Sequence, residues 1–212
     1  MPLQKTRAAL DALLDAHAQH ISRRILVAPE KTGCESPVEA FFIGNPGPSI
    51  PRAIIVGGVH GNERIGVDVV IAFLHSLLKQ LEWDGLQQEL FQRIRLVLVP
   101  VANPCGYQNG TRSNHDGIDM MRNAPVEAAS AHWALGGQRL SRHLPWYRGK
   151  DLAAETAALI GLVQEETRLS PFNISVDCHS GFGALDRIWF PWAHKKEPLP
   201  HLAEVYALRN LF

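Results

Sequence analysis

Apolar residues along the chain recur with two different periods. The N-terminal stretch sets Leu10, Leu13, Leu14 and Ala18 on one stripe, a spacing that predicts an amphipathic opening helix. Short runs of β-formers follow: "RRILVA" at 23–28 and "VEAFFIG" at 38–44, separated by the loop "PEKTGCES". The cluster "NPGPSIP" reads as a turn. "RAIIVGG" is apolar at successive positions, as expected of a strand buried on both faces in a mostly parallel sheet. Residues 64–81 then place Ile65, Val69, Phe73 and Leu77 four apart and predict a long helix.

"RIRLVLVPVANP", 93–104, reads as another buried strand, ended by Asn-Pro. Residues 105–150 are rich in Gly, Asn, Arg and His, and connections of that length are usually functional. A helix is expected over 151–168, with Asp151 at its N-cap. "FNISVDCHSGFG" follows as a strand, then "DRIWFPW" as a further strand and "HLAEVYALRNLF" as a final helix. This alternation predicts an α/β fold: a mixed, mostly parallel sheet with helices on both faces. Residues 1–212 read as a single domain, without internal repeat or linker.

Composition narrows the picture. Apolar residues make up 46% and charged residues 20%, as in an ordinary globular protein. Lys+Arg and Asp+Glu balance at 21 each, so no nucleic-acid partner is expected. No apolar run approaches the ~20 residues that span a bilayer, and no secretory leader is evident, so no membrane partner and a cytoplasmic location are expected. Cys34, Cys105 and Cys178 are widely spaced and lack a CxxC pair, so neither a disulfide framework nor a thiolate metal knot is indicated. His17, His20, His75, His194 and His201 sit in polar contexts and read as solvated surface.

In sheets of this kind, ligands bind beyond the carboxyl ends of the strands. His60 and Glu63 fall there after one strand, residues 103–122 after a second, and His179 after a third. Hydrolytic zinc sites take three His or carboxylate ligands. His60 and Glu63 are close enough to share an ion, and His179 is the natural third ligand. A lone His-x-x-Glu is common, so the pair gains weight only from its placement and from His179. Gly57, Gly58 and Gly61 would let the backbone turn sharply beneath both side chains. Asp177 shares a strand face with His179 and reads equally as a carboxylate orienting that ligand or as an ordinary hydrogen-bonding residue. Cys178 points the other way, as a small buried hydrophobe. Trp133, Trp146, Tyr147, Trp189 and Trp192 are expected mostly to pack, while His115 and Asp116 lie in the active-site loop.

Four segments, "GGVHGNERIG", "VPVANPCGYQNGTRSN", "GIDMMRNAP" and "SVDCHSGFG", together resemble the M14-type zinc carboxypeptidases and their succinylglutamate desuccinylase, aspartoacylase and murein-peptide amidase relatives. The resemblance implies one zinc ion held by His60, Glu63 and His179. It implies Arg112 as the catalytic arginine facing the oxyanion, with Arg122 and Asn103 binding substrate. Arginine suits both tasks, being permanently charged and able to pair bidentately with carboxylate. Two departures stand out. Met121 replaces the asparagine expected before Arg122, and no glutamate is assigned as general base, since Glu197 and Glu204 lie too near His179. The chain is therefore expected to be the N-terminal portion of such a catalytic domain, with an open sheet edge exposing apolar surface. The implied activity is hydrolysis of an amide or peptide bond beside a carboxylate-bearing residue. The alternatives are deacylation of an N-acyl amino acid, or zinc binding without turnover.

Overall fold

A computed structural model describes residues 3–129, 136–180, 188–190, 195 and 197–211. Its elements run α1 (Leu3–Ala16), β1 (Ile21–Val27), α2 (Pro29–Thr32), β2 (Val38–Gly44), β3 (Arg52–Gly57), α3 (Arg64–Trp83), α4 (Gly85–Phe91), β4 (Arg95–Val99), α5 (Pro104–Asn109), α6 (Ala154–Arg168), β5 (Asn173–Cys178) and α7 (Leu202–Arg209). The sheet order is β1-β2-β4-β3-β5. β2 pairs antiparallel with β1 and β4, whereas β3 pairs parallel with β4 and β5. Four strands thus run one way and β2 runs against them, a mixed sheet of mostly parallel sense.

Strand alternation divides the core into two layers. Phe41, Ile43, Leu96 and Leu98 face Leu10 and Leu13 of α1 and Val70, Leu74, Leu77, Leu78 and Leu81 of α3. Ala40, Phe42, Val97, Val99 and Ile54 face the opposite side, where Leu162 of α6 covers them. Both faces are covered, which is why these strands read as nearly continuous apolar runs. No helix among the described residues is long and apolar enough to cross a membrane.

Several expectations shift in detail. α3 forms as expected; of the four residues whose spacing announced it, Ile65, Val69 and Phe73 are exposed and Leu77 is buried. Steps of four advance 400° around the helix, so that stripe drifts away from the core, whereas 67, 70, 74, 77, 78 and 81 keep the 3.6-residue period. α6 begins at Ala154, with Ala153 rather than Asp151 at its N-cap. The Asn123 side chain explains this: it accepts from Ala153 N–H and donates to the Asp151 carbonyl. His17 is buried beside Glu82, 3.1 Å away, rather than solvated. α2 and α5 are short helices within or beside stretches read as connections, and α4 is a further short helix, capped by the Asp84 carboxylate. Trp133, Trp192, His194 and most of the "DRIWFPW" strand lie outside the described residues. β5 pairs only with β3 among the described residues, and Val176 and Phe172 are exposed beside it.

Away from the strand ends that carry the polar loops, the buried Glu166 carboxylate ties α6 to the sheet. It accepts from Arg52 and, at 3.1 Å, from Arg95. The neighbouring Glu165 pairs with Arg24 in the open. Removing one partner of a buried pair strands the other charge, at a cost of roughly 3–5 kcal/mol, whereas an exposed pair is worth ~1 or less. Glu166→Ala should therefore lower urea-unfolding stability by about 3 kcal/mol and Glu165→Ala by under about 1. Equal losses would contradict this assignment.

Candidate metal centre

β3 ends at Gly57, and Gly58 turns the chain with φ +66, a conformation open to glycine. Gly61 lies against α5 so closely that an added Cβ would sit 1.9 Å from the Gly106 carbonyl carbon. Between these two glycines, His60 is 1% exposed. Glu63 occupies the N-cap position of α3 but makes no capping bond, leaving its carboxylate free to face inward. His179 follows β5 directly, and the parallel pairing of Gly57 with Cys178 brings the two strand ends abreast.

His60, Glu63 and His179 each offer a donor atom, and these atoms lie within 4.8 Å of one another. This is the one such group among the described residues. His60 Nδ1 is 2.9 Å from Glu63 Oε1. The two imidazoles meet edge to face, with centroids 4.7 Å apart. Glu63 Oε2 accepts from the Ser180 backbone N–H at 2.7 Å, which fixes the carboxylate's orientation.

Behind His60 sits Asp119, 2% exposed, whose Oδ1 is 3.3 Å from His60 Nε2. Its Oδ2 accepts from Arg112 Nε at 2.8 Å. A ring that donates from Nε2 to Asp119 turns a bare lone pair at Nδ1 toward the Glu63 carboxylate. Two acceptors facing at 2.9 Å require either a proton or a cation between them. Two imidazoles and one carboxylate are a donor set that zinc accepts, so the residues fit such an ion. Asp177 stands behind the other histidine, with Oδ1 2.9 Å from His179 Nδ1. Burial depresses the His179 pKa, but the hydrogen bond and charge of Asp177, with Glu63, outweigh it and raise it above its usual value.

The loop from 110 to 123 supplies the arginines. Arg112 reaches from Asp119 to Glu63 Oε1, 3.5 Å from Nη1, so its guanidinium stands beside the candidate metal ligands. Arg122 is held through its backbone, which donates to Asp119 and accepts from Arg148 Nε. Its buried side-chain Nε finds no hydrogen-bond partner among the described residues. Asn103, expected to bind substrate, is instead fully buried. It caps α5 by accepting from Gly106 N–H, and its amide nitrogen points to the Val59 and Arg112 carbonyls. It thereby joins the turn after β3 to the Arg112 loop. Cys178 packs against the α3 layer of the core, its thiol pKa raised by burial and then by Asp177. Met121 is half-exposed. His115 and Asp116 pair with each other at 3.2 Å, and His115 turns toward α6.

The sequence profile of the M14 peptidases, described as zinc carboxypeptidases, matches residues 13–211. The chain belongs to the zinc carboxypeptidase family. Mouse (Mus musculus) carboxypeptidase Z is 30% identical over 149 residues, covering 62% of this chain and 22% of that protein. Duck (Anas platyrhynchos) carboxypeptidase D is 25% identical over 170 residues, covering 76% and 11%. Among solved structures, bovine thrombin-activatable fibrinolysis inhibitor, in complex with a tick carboxypeptidase inhibitor, superposes with a TM-score of 0.75 at 18% identity, covering 99% of this chain and 69% of that one. Carboxypeptidase A from Helicoverpa armigera gives 0.66 at 17%, covering 86% and 46%. These structures show the zinc carboxypeptidase fold. The chain spans about a fifth or less of the two curated relatives.

Burial would raise the Asp119 pKa, but hydrogen bonds from His60 and Arg112, with the Arg112 charge, hold it at about 2. A depressed carboxylate stabilises the fold fully above its unfolded pKa near 3.8 and loses that contribution as pH falls toward about 2. For the metal-free protein this amounts to roughly 2 kcal/mol. Asp119→Asn should flatten the loss of stability between pH 5 and pH 2, measured by urea unfolding. A variant as acid-sensitive as the parent would contradict the assignment.

Proposed function

We propose that the chain holds one zinc ion at His60, Glu63 and His179 and takes part in hydrolysing a peptide or amide bond beside a carboxylate-bearing residue. The observation that carries this reading is the convergence of that three-ligand group with Arg112 on a family match covering most of the chain. When bound, the ion supplies a Lewis acid that polarises a carbonyl and acidifies water.

The chain's own residues do the rest. Asp119 holds the His60 ring with Nδ1 toward Glu63, where it would serve as a zinc ligand, and Ser180 N–H keeps the Glu63 carboxylate turned inward. The Arg112 guanidinium faces negative charge that develops on the attacked carbonyl, and its bond to Asp119 fixes it in place beforehand. Arg122, half-buried on the same loop, supplies a permanent charge and paired donors suited to a substrate carboxylate. Substrates are therefore peptides with a free C-terminal carboxylate. Neither Glu197 nor Glu204, both solvent-exposed, takes part.

Peptides with a free C-terminus should lose their last residue, whereas the same peptides amidated should resist, as read by mass spectrometry. Arg112→Ala should lower kcat about 100-fold or more with zinc content unchanged, the effect of removing one oxyanion donor. Equal cleavage of amidated peptides, an unchanged rate in Arg112→Ala, or a zinc-loaded protein that releases nothing would overturn the reading.

A further inference from the structure

The chemistry above makes no use of Glu155, in the first turn of α6, whose residue is fully buried. Its Oε2 accepts from Asn114 Nδ2 at 3.1 Å, while Oε1 has no hydrogen-bond partner among the described residues. His115 Nδ1 is 3.8 Å from that oxygen, beyond hydrogen-bonding range. A buried carboxylate so sparsely satisfied is costly to the fold, and an apolar side chain there would be cheaper. We infer that Glu155 is a positioning residue for the metal centre, acting through Asn114 on the loop that carries Arg112 and Asp119. This rests on the zinc reading proposed above.

Asn114 is the hub of that loop. Its Oδ1 accepts from Asp116 N–H at 3.1 Å and Ile118 N–H at 3.0 Å. Its backbone N–H donates to the Ile118 carbonyl, and its carbonyl accepts from Gly117 N–H. The turn from 114 to 118 is thereby closed on one side chain, and that side chain's remaining donor goes to Glu155. Just outside the turn stand Arg112 and Asp119, joined to each other across its neck at 2.8 Å. Asp119 in turn holds His60. Glu155 therefore sets the turn from a rigid helix whose Leu162 packs on the sheet. A second support comes from His115, whose ring lies so close to Gly33 that a Cβ there would be 2.4 Å from its Cγ. With the turn held from two sides, Arg112 and Asp119 are fixed before any ion or substrate arrives.

The test is the zinc affinity of the full chain, measured by competition with a chromophoric chelator well below the unfolding temperature. Glu155→Ala should weaken zinc binding about tenfold, the lower end for losing a group behind a metal ligand. Glu155→Gln keeps an acceptor for Asn114 and should stay within about threefold of the parent. Asn114→Ala leaves the carboxylate but removes its handle, and should reproduce the loss even if Glu155→Ala fails to fold. The double variant Glu155→Ala/Asp119→Asn should bind zinc no more weakly than Asp119→Asn alone, because both act along one path. Variants that lower Tm while leaving zinc affinity unmoved, or losses that simply add, would overturn the inference and leave the zinc reading intact. A folded parent chain that binds no zinc would sink both.

Discussion

Asp119 holds the two halves of the centre together. One oxygen meets His60 on the turn after β3, and the other meets Arg112 on the loop after α5. A carboxylate this buried is tolerable only while both partners are in place, because an unpaired buried charge costs several kcal/mol. The turn after β3 and the arginine loop are therefore one unit, and a shift in either strands the Asp119 charge. The same contact decides the chemistry of His60. With Nε2 committed to Asp119, Nδ1 is left as the nitrogen that faces Glu63.

Everything that brings Asp119 to this place follows from the sheet. β3, β4 and β5 are parallel neighbours, so their carboxyl ends fall together, and the segments after them meet above one edge. The fit is tight. Gly61 rests on the Gly106 backbone, and the Asn103 amide is shared between the turn after β3 and the loop. Loop residues are thus packed as closely as core residues, in keeping with a site that must be rigid before its ligand arrives.

The sequence made the architecture legible where burial imposes a simple period. Two-faced strands such as β3 and β4 announced themselves as apolar runs, and the long α3 as a helical pattern. The spacing of Ile65, Val69 and Phe73 marked α3 as a helix without marking its face, because steps of four look helical yet precess, and these three side chains turn outward. That His60, Glu63 and His179 come together was legible because they lie in the turns beyond β3 and β5, and topology gathers neighbouring strand ends. Asp119 lay in plain view three residues before Arg122, in a polar loop that follows a strand. What was missing was its partner, since a carboxylate's role depends on what lies across space. Glu155 and Asn114 were illegible for the same reason: they are 41 positions apart, and nothing local marks either as buried. The buried, backbone-bonded position of Asn103 was not legible, because an Asn-Pro turn does not reveal whether its amide points outward or in.

The central claim is that His60, Glu63 and His179 form a nitrogen- and oxygen-donor zinc site. The most direct measurement is X-ray absorption at the zinc edge on the metal-loaded chain, with stoichiometry determined on the same sample. The account predicts one zinc per chain, two imidazoles and only light donor atoms near about 2.0–2.2 Å, with the signal lost in His60→Ala. A sulfur shell near about 2.3 Å would place the ion on a cysteine instead, and a signal unchanged in His60→Ala would contradict the site outright.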